Sequence, residues 1–374
     1  MTNTPDQVRP FRIDVPQAEL DDLRERLART RWPAQPAGTG WSRGVPVDYL
    51  RELAAYWRDG YDWRKHEAAL NDIPQFTTEI DGQTFHFAHA RAADPGALPI
   101  VLLHGWPGSP ADFMKIIGPL SERFHVIAPS LPGFGFSTPL SGSGWGVNRS
   151  AAALIELMER LGYGRYGLHA FDAGSGVANT MRLLAPGRIA GLHLALAATD
   201  DMLGVLAPDG TMSVRPGIAA GQEGMGNFQI QSTRPQTLGY GLTDSPVAQL
   251  AWIVEKFKEW TDPAAELPED AVDRDHLLTK VTLYWLGSLG ASSAHFTYEL
   301  RRDMARPVEP GEGSPGAVPV GIAEFSADPA VRPLVDPQGV AAHWSGFERG
   351  GHFPAMEQPA LLAGDLRDFF TGRH

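Results

Sequence analysis

The stretch LHAFDAGSGVA, Leu168 to Ala178, decides how the chain is interpreted. A short apolar run ends at Asp172, and a helical pattern begins directly after it. Ala170 and Gly174, two positions before and after Asp172, are small enough for the sharp strand-to-helix turn that exposes a nucleophile. Ser175 is a rival nucleophile, but the residue two positions after it is a branched valine, which suits that turn poorly. We predict that Asp172 is the nucleophile; the alternative is that its carboxylate only caps the helix.

The composition of the chain excludes several classes of function. The 374 residues, 43% of them hydrophobic, can bury a large core, and the formal net charge of −12 argues against nucleic acids and acidic membranes as partners. The absence of cysteine excludes disulfides, thiolate nucleophiles and Cys-ligated metals. The sequence shows no metal-ligand spacing, and we predict that the protein uses neither a metal nor another cofactor.

The N-terminus lacks the apolar stretch of a signal peptide, and no later run approaches the roughly 20 apolar residues of a membrane span. We therefore expect a cytoplasmic protein that acts on a small-molecule substrate, with no membrane and no nucleic acid as partner. Formation of a homo-oligomer is compatible with the sequence but is not specified by it.

Alternating strands and helices in the middle of the chain predict a mostly parallel α/β sheet. The alternation begins with a hairpin around Asp81 and Gly82 and stops near residue 200, where a long stretch of helices and loops begins. Such an insertion is typical of a lid over the carboxyl ends of the strands, where ligands bind in these folds. The predicted segments are an N-terminal helical segment (1–75), the first part of the core (76–200), a helical lid (201–308) and the second part of the core (309–374).

The N-terminal segment contains two stretches with the periodicity of amphipathic helices. Pro16 suits the start of the first helix, because proline is favoured in the first turn. The residues predicted to face inward are Leu20, Leu23, Leu27, Leu50, Leu53 and Trp57.

Two further motifs would complete a catalytic site around Asp172. The sequence HGWPGS, 104–109, follows an earlier apolar strand, and the backbone N–H of Trp106 could form an oxyanion hole with that of Ala173. The sequence RGGHFPAMEQP places His352 on a glycine-flanked loop before the last helix, as a catalytic histidine requires. With an acid between them, the order of nucleophile, acid and histidine matches the order in α/β-hydrolases.

The acid of this site is expected after the penultimate strand. The segment IAEFSAD ends at Asp328, which we predict to orient His352, whereas Glu324 lies inside the strand and is less suitable. Asp172 would then attack an electrophilic carbon to form an alkyl ester. His352 would deprotonate the water that hydrolyses this ester.

An aspartate nucleophile indicates which kind of bond is attacked. Attack of a carboxylate on an acyl group would give an anhydride, so the expected target is an sp3 carbon, as in an epoxide or an alkyl halide. Halide chemistry usually needs indole N–H donors, one of them directly after the nucleophile, and Ala173 occupies that position. We therefore favour an epoxide.

Motifs along nearly the whole chain resemble those of the microsomal-type epoxide hydrolases, and the sequence is similar to a soluble bacterial member of that family. These motifs are RPFRIDVPQAELDDLRERLARTRWP, DYLRELAAYWRDGYDW, PQFTTEIDG, HGWPGS, VIAPSLPGFGFS, TRPQTLGYGLTDSPVAQLAWIVEKF, LTKVTLYWL and GGHFPAMEQP. The resemblance implies an α/β-hydrolase fold with a helical lid and a triad of Asp172, Asp328 and His352. It also implies an N-terminal extension that packs around the core and the lid.

The sequence departs from the family pattern at the nucleophile and in the lid. Where the family has Gly-Gly-Asp-Trp-Gly, residues 170–174 read Ala-Phe-Asp-Ala-Gly, so an indole wall is missing. Asn227 and Thr297 occupy the positions of the two lid tyrosines that, by resemblance, protonate the epoxide oxygen. The predicted substrate-binding residues are Phe171, Asn227, Phe228, Trp285, His295, Thr297 and Tyr298.

The loss of both phenols would make plain aliphatic epoxides poor substrates. General acid catalysis typically contributes about 10²–10⁴ in rate, and amides or aliphatic hydroxyls release a proton far less readily than a phenol. One interpretation is that the substrate is a specialised epoxide, conjugated or polycyclic, that stabilises its own developing charge. Within this interpretation, Tyr298, His295 or Tyr240 could also act as the proton donor. A second is a hydrolase that acts on an ester or another bond by direct water attack. A third is a non-hydrolytic enzyme such as a cyclase, or a binding protein.

Overall fold

A mixed β-sheet forms the centre of the computed structural model, which describes residues 7–207, 212–217, 224–306 and 308–373. The strands are β1 (Arg9–Phe11), β2 (Gln75–Ile80), β3 (Gln83–Ala90), β4 (Pro99–Leu103), β5 (His125–Pro129), β6 (Tyr166–Ala170), β7 (Ile189–Ala197), β8 (Met202–Leu206), β9 (Met212–Pro216), β10 (Val320–Phe325) and β11 (His343–Gly346). Within these described residues, the central sheet has the strand order β1-β2-β3-β5-β4-β6-β7-β10-β11.

The central strands are parallel, as predicted. Neighbouring strands from β5 to β11 in this order run parallel, whereas β1, β2 and β3 join antiparallel at one edge. Strands β4, β5 and β6 are buried along their whole length, as expected of parallel strands that are covered on both faces. The fold is therefore an α/β-hydrolase fold.

Helices surround this sheet and build the insertion above it. They are α1 (Gln17–Ala28), α2 (Val47–Asp59), α3 (Trp63–Asn71), α4 (Met114–Ser121), α5 (Val147–Arg160), α6 (Ala173–Leu184), α7 (Gly226–Gln231), α8 (Pro235–Asp244), α9 (Pro246–Trp260), α10 (Pro268–Ala271), α11 (Arg274–Leu286), α12 (Leu289–Asp303), α13 (Val331–Val335), α14 (Pro354–Glu357) and α15 (Pro359–Phe370). In the described residues, none of them is long and apolar enough to cross a membrane.

The predicted hairpin joins β2 to β3, with Ile80 opposite Gln83. Asp81 and Gly82 between them have φ angles of 53° and 72°. A two-residue turn of type I′ requires such positive angles at both positions, and Asp-Gly is a preferred pair for it. The prediction of a hairpin at this point is confirmed.

The N-terminal segment packs against the insertion. All six of its predicted inward residues are buried. The indole N–H of Trp57 donates a hydrogen bond to the Thr282 hydroxyl at 2.9 Å, and the hydroxyls of Tyr61 and Thr279 are also 2.9 Å apart. Both threonines lie on α11, so the N-terminal segment holds one face of this helix in place. The segment also contributes β1, which pairs with β2 at the edge of the sheet.

The insertion is not made of helices and loops alone, and this expectation was wrong. It begins with an antiparallel pair, β8 and β9, and only then continues as helices. Apolar and β-branched residues on either side of a Pro-Asp-Gly sequence are typical of two paired strands, and this signal precedes the helical pattern. The pair follows β7 almost directly, so the insertion starts at the carboxyl edge of the central sheet.

Three adjacent strands, β4, β6 and β7, position the functional residues. Because parallel strands end at the same edge of a sheet, the loops after them lie side by side. The loop after β4 carries Trp106, the turn after β6 carries Asp172, and the loop after β7 carries Asp200. The sheet order therefore brings together residues that are far apart in the chain.

The packing of Trp57 against α11 leads to a prediction about stability. Substitution of Trp57 by alanine removes a buried indole, so we expect the free energy of unfolding to fall by about 3–5 kcal/mol in urea denaturation. Substitution of the exposed Glu52 on the same helix by alanine should change it by no more than about 0.5 kcal/mol. Equal stability of the two variants would contradict the packing of α2 against the insertion.

Candidate active site

Asp172 occupies a strained turn between β6 and α6. Its φ and ψ angles are 51° and −137°, values that non-glycine residues rarely adopt. Its side chain forms no capping hydrogen bond with α6. The carboxylate instead accepts the Trp106 backbone N–H through Oδ1 at 2.7 Å, and the side chain is 24% exposed. The alternative that Asp172 only caps the helix was therefore wrong.

The backbone after β4 and the turn at Asp172 approach each other closely, which explains the glycines at positions 105 and 174. A Cβ atom on Gly174 would lie 2.5 Å from the Leu103 carbonyl oxygen and 2.6 Å from that of His104. A Cβ atom on Gly105 would overlap the Asp172 carboxylate itself. Both positions need glycine because any side chain would displace the turn or the carboxylate.

His352 lies directly beside the carboxylate of Asp172. Its Nε2 is 3.5 Å from Asp172 Oδ2, and its Nδ1 is 2.6 Å from Asp200 Oδ1. The second oxygen of Asp200 accepts the Ala197 backbone N–H at 2.8 Å, which fixes the orientation of this carboxylate. The imidazole therefore lies between two carboxylates, hydrogen-bonded to Asp200 through Nδ1 and at ion-pair distance from Asp172 through Nε2.

The structure corrects the prediction that Asp328 orients His352. The Asp328 carboxylate accepts the backbone N–H of Ala330 at 2.8 Å, and the Asp328 N–H donates to Glu324 at 2.9 Å. Asp328 therefore stabilises the turn before α13. The physical reason is the order of the strands: β7 lies next to β6, which carries the nucleophile, whereas β10 lies one strand further away.

A signal for Asp200 was present in the sequence. The buried run IAGLHLALA is followed within four residues by two aspartates, Asp200 and Asp201, just as IAEFSAD ends at Asp328. Both strand ends satisfied the order of nucleophile, acid and histidine, and the sequence alone did not reveal which strand lies beside the nucleophile.

The electrostatic environment favours the protonated form of His352. Burial alone would lower the pKa of this imidazole, but the carboxylates of Asp200 and Asp172 outweigh that effect, and the pKa is raised above its ordinary value. The Asp200 carboxylate contributes most to this increase, first through its negative charge and then through the hydrogen bond that it accepts from Nδ1. His352 is thus a base that becomes stronger through its two acidic neighbours.

Aromatic side chains enclose the imidazole. The Trp260 ring centroid is 4.9 Å from that of His352, and its indole N–H donates to Asp201 at 3.2 Å. The Phe171 ring packs edge-on against His352 at 5.7 Å, and the buried Trp106 ring contacts Trp260 at 6.0 Å. Phe171 and Trp106 therefore lie beside the nucleophile and the histidine. Asp201 differs in role from Asp200, since it holds the indole that covers the histidine.

The end of the strand pair β8–β9 contacts the backbone of Asp200 and Asp201. The Gly217 N–H, just after β9, donates to the Asp201 carbonyl at 2.8 Å. A Cβ atom at Gly217 would overlap the Asp200 carbonyl oxygen. The start of the insertion is therefore built onto the backbone that presents Asp200.

Of the two predicted oxyanion-hole donors, the structure shows a contact for one. The Trp106 N–H is bound to the nucleophile, as described above. Ala173 is the first residue of α6, where backbone N–H groups have no partner within the helix. Its contribution to an oxyanion hole stays a prediction.

The predicted lid residues occupy different environments. Asn227 and Thr297 are both buried, and the Thr297 hydroxyl donates to the Ser293 carbonyl at 3.2 Å. Phe228 is half-buried. The structure does not bring the phenol of Tyr240 into the site, because this side chain is 69% exposed.

The other predicted lid contacts have partners away from Asp172. His295 is 3.2 Å from the Gln236 side chain, and the guanidinium of Arg302 lies over the Tyr298 ring at 3.6 Å. Trp285 packs beneath Arg26 of α1, at 5.6 Å from ring centroid to guanidinium. Substrate contact by these three side chains stays a prediction.

Tyr284, by contrast, contacts the loop whose Trp106 N–H binds Asp172. It is fully buried, and its hydroxyl donates to the Gly108 carbonyl at 3.2 Å. Burial raises its pKa, and the nearby carboxylates of Asp112 and Asp172 raise it further. In the part of the chain that the structure describes, no cluster of three or more His, Asp or Glu side chains is arranged to hold a metal.

This arrangement of strand ends, strained turn, histidine and insertion defines a hydrolase of the α/β-hydrolase fold. Residues 8–113 match the family described as "Epoxide hydrolase N terminus", and residues 99–217 match "alpha/beta hydrolase fold". A protein of Stigmatella aurantiaca, provisionally named an epoxide hydrolase, is 41% identical over 97% of this chain and 84% of its own length. Epoxide hydrolase 1 of Sus scrofa is 32% identical over 97% of this chain and 88% of its own length.

Solved structures lead to the same family. The juvenile hormone epoxide hydrolase of Bombyx mori superimposes with a TM-score of 0.81, at 29% identity, over 98% of this chain and 93% of that one. The epoxide hydrolase of Aspergillus niger superimposes with a TM-score of 0.79, at 30% identity, over 98% and 97%. The chain belongs to the epoxide hydrolase family.

The close packing at Gly174 generates a second prediction. Substitution of Gly174 by alanine should abolish hydrolysis of a test epoxide, because the new Cβ would push the turn away from Trp106. The control is Gly176→Ala in the same helix, where a Cβ would lie 3.5 Å from Val147, an ordinary contact. We expect Gly176→Ala to retain activity and to gain about 0.5–1 kcal/mol of stability in thermal denaturation. Full activity of Gly174→Ala would contradict the described turn.

Proposed function

We propose that the enzyme opens an epoxide by attack of Asp172 and then hydrolyses the resulting ester with water activated by His352. The observation that carries this proposal is that the two carboxylate oxygens of Asp172 have different neighbours. Oδ1 is held by the Trp106 N–H, while Oδ2 lies 3.5 Å from His352 Nε2. A carboxylate that must act first as a nucleophile and then as the acyl group of an ester requires both environments.

In the first step, Oδ2 of Asp172 attacks a ring carbon and the carbon–oxygen bond of the epoxide breaks. The electron pair of that bond passes to the epoxide oxygen, which takes up a proton from solvent. The strained turn keeps the carboxylate in a partly exposed position, so little reorganisation is needed before attack.

In the second step, His352 removes a proton from water, and the resulting nucleophile attacks the carbonyl carbon of the ester. The negative charge that develops on Oδ1 is stabilised by the Trp106 N–H. Asp200 holds the imidazole by Nδ1 and stabilises the imidazolium that forms. As the tetrahedral intermediate collapses, the imidazolium of His352 returns its proton to the departing oxygen and the diol is released. The carboxyl group of Asp172 then loses a proton to solvent and is a carboxylate again.

The substrate class follows from the residues that would protonate the epoxide oxygen. Asn227 and Thr297, both buried in the lid, cannot supply a phenolic proton, and the Thr297 hydroxyl is already donated to a carbonyl. We therefore assign to this enzyme an epoxide conjugated to a carbonyl, quinone or arene. A neighbouring carbonyl withdraws electron density from the oxygen anion, and an arene stabilises positive charge on the carbon that is attacked. Ring opening of such an epoxide therefore depends less on a general acid.

The role of Asp200 can be tested through accumulation of the ester. Asp200→Asn should still undergo attack by Asp172 but should hydrolyse the ester about 10²–10⁴ times more slowly, because the imidazole loses its acidic partner. The experiment is a single turnover in oxygen-18 water with 1,4-naphthoquinone 2,3-epoxide, followed by mass spectrometry of the peptide that contains Asp172. We expect trapped ester in this variant and oxygen-18 in the carboxylate of Asp172 in the unmodified enzyme.

The matched control is Asp328→Asn, which alters the other strand-end carboxylate and should hydrolyse the ester at the normal rate. The pH dependence gives a second readout: ester hydrolysis needs neutral His352, so its rate falls as the pH drops through the raised pKa of that imidazole. In Asp200→Asn this acidic limb should move to lower pH, because burial then dominates. Label found only in the diol would indicate direct water attack and contradict the proposal.

The substrate assignment has its own test. Introduction of tyrosine through Asn227→Tyr and Thr297→Tyr should accelerate turnover of a plain aliphatic epoxide such as 1,2-epoxyhexane by about ten-fold or more, since a general acid typically contributes at least about 10². Asn227→Phe with Thr297→Phe is the control, because it adds the same bulk without a hydroxyl. Thermal denaturation is used to check that both double variants are folded. Equal rates for the two double variants would mean that the missing phenols do not restrict the substrate.

A further inference from the structure

Three polar side chains on one face of α11 are turned toward the loop that holds the nucleophile. His276, Lys280 and Tyr284 follow each other at intervals of four residues, so they share a face of the helix. We call residues 105–112 the oxyanion loop, because they include the Trp106 N–H that binds Asp172. The lid helix therefore reaches the nucleophile through this loop.

Each of the three side chains binds a different part of the oxyanion loop. All three side chains are buried. Among the three, in the described residues, only Lys280 forms an ion pair with the loop. The contacts are His276 Nε2 to the Ala111 carbonyl at 2.9 Å, Lys280 Nζ to both carboxylate oxygens of Asp112 at 3.1 Å, and the Tyr284 hydroxyl to the Gly108 carbonyl at 3.2 Å.

The pair of Lys280 and Asp112 is fully desolvated. Their side chains are 0% and 1% exposed, and the ammonium lies over the rings of Phe257 and Phe353 at 4.8 Å and 4.6 Å. Such a pair stabilises a fold poorly, because desolvation of both charges offsets their attraction. Burial pushes the pKa of Asp112 up and that of Lys280 down, and the attraction between the groups opposes both shifts. A stability role therefore does not explain why this charge lies here.

The ammonium acts on both reacting groups of the site. It attracts the carboxylate of Asp172 and opposes protonation of His352. The titratable groups around the Lys280 ammonium come from several elements. They are His104 after β4, Asp112 in the oxyanion loop, Asp172, His352, and His276 and Tyr284 on α11 itself.

We propose that Lys280 is a positioning residue for ester hydrolysis, which holds the oxyanion loop through its ion pair with Asp112 and acts electrostatically on Asp172 and His352. This inference rests on the proposed function. Because the ammonium is fully buried, it acts through the loop and through its electric field, without contact with the substrate.

The test separates the charge from the packing. Lys280→Met alone leaves Asp112 buried without a partner and is expected to lower the melting temperature, so the main variant is Lys280→Met with Asp112→Asn, which removes both charges together. We expect this double variant to regain most of the lost thermal stability but to hydrolyse the ester about ten-fold more slowly, against the roughly 10²–10³ lost when a direct oxyanion donor is removed. The rate is measured by mass spectrometry of the Asp172 ester formed from 1,4-naphthoquinone 2,3-epoxide.

A control on the opposite face of the same helix shows what a purely structural change does. Thr282→Val breaks the hydrogen bond to Trp57 and should lower the melting temperature without slowing ester hydrolysis. The pH profile supplies a readout that packing would not change: loss of the ammonium in Lys280→Met removes an obstacle to protonation of His352, so the acidic limb should move to higher pH.

The outcomes distinguish this inference from the proposed function. Normal ester hydrolysis in the folded double variant, or an unshifted acidic limb in Lys280→Met, would overturn the role of Lys280 and leave the mechanism intact. Absence of any ester in Asp200→Asn would overturn the mechanism itself.

Discussion

Compensation of the charge on Asp172 is the constraint on which the rest of the site depends. A carboxylate in a left-handed turn at the end of a buried strand is costly unless nearby groups share its charge. The Trp106 N–H binds one oxygen and His352 lies beside the other. His352 in turn needs Asp200, because a buried imidazole without an acidic partner would hardly accept a proton. Asp172, His352 and Asp200 are thus held together by one electrostatic requirement.

The lid helix α11 joins this site to the N-terminal segment. One of its faces binds Trp57 and Tyr61 through Thr282 and Thr279, and the other binds the oxyanion loop through three polar side chains. The N-terminal segment and the oxyanion loop therefore contact different faces of the same helix. This arrangement gives a physical reason for an extension of such size before the catalytic core: it supports the helix that shapes the oxyanion loop.

The sequence was most informative where local geometry has a residue signature. Small residues around Asp172, the Asp-Gly turn and the leucine faces of α1 and α2 each follow from short-range rules, and the structure bears them out. The acid could not be assigned in this way, because Asp200 and Asp328 both end buried strands and only the order of strands in the sheet separates them. The pair of β8 and β9 was missed because the helical pattern that follows dominates the insertion. Lys280 carries no signature, since a lysine on a helix is usually solvated.

The junction between the acid and the first strands of the insertion has a consequence for protein engineering. Gly217 packs the end of the strand pair β8–β9 against the backbone of Asp200 and Asp201. The first strands of the lid and the residue that binds His352 therefore belong to the same short segment. A lid grafted from another relative would replace the strand pair β8–β9 and would remove the backbone contacts that support Asp200. The insertion is therefore not an exchangeable module, and chimaeras of this enzyme need their crossover points placed beyond residue 217, inside the helical part.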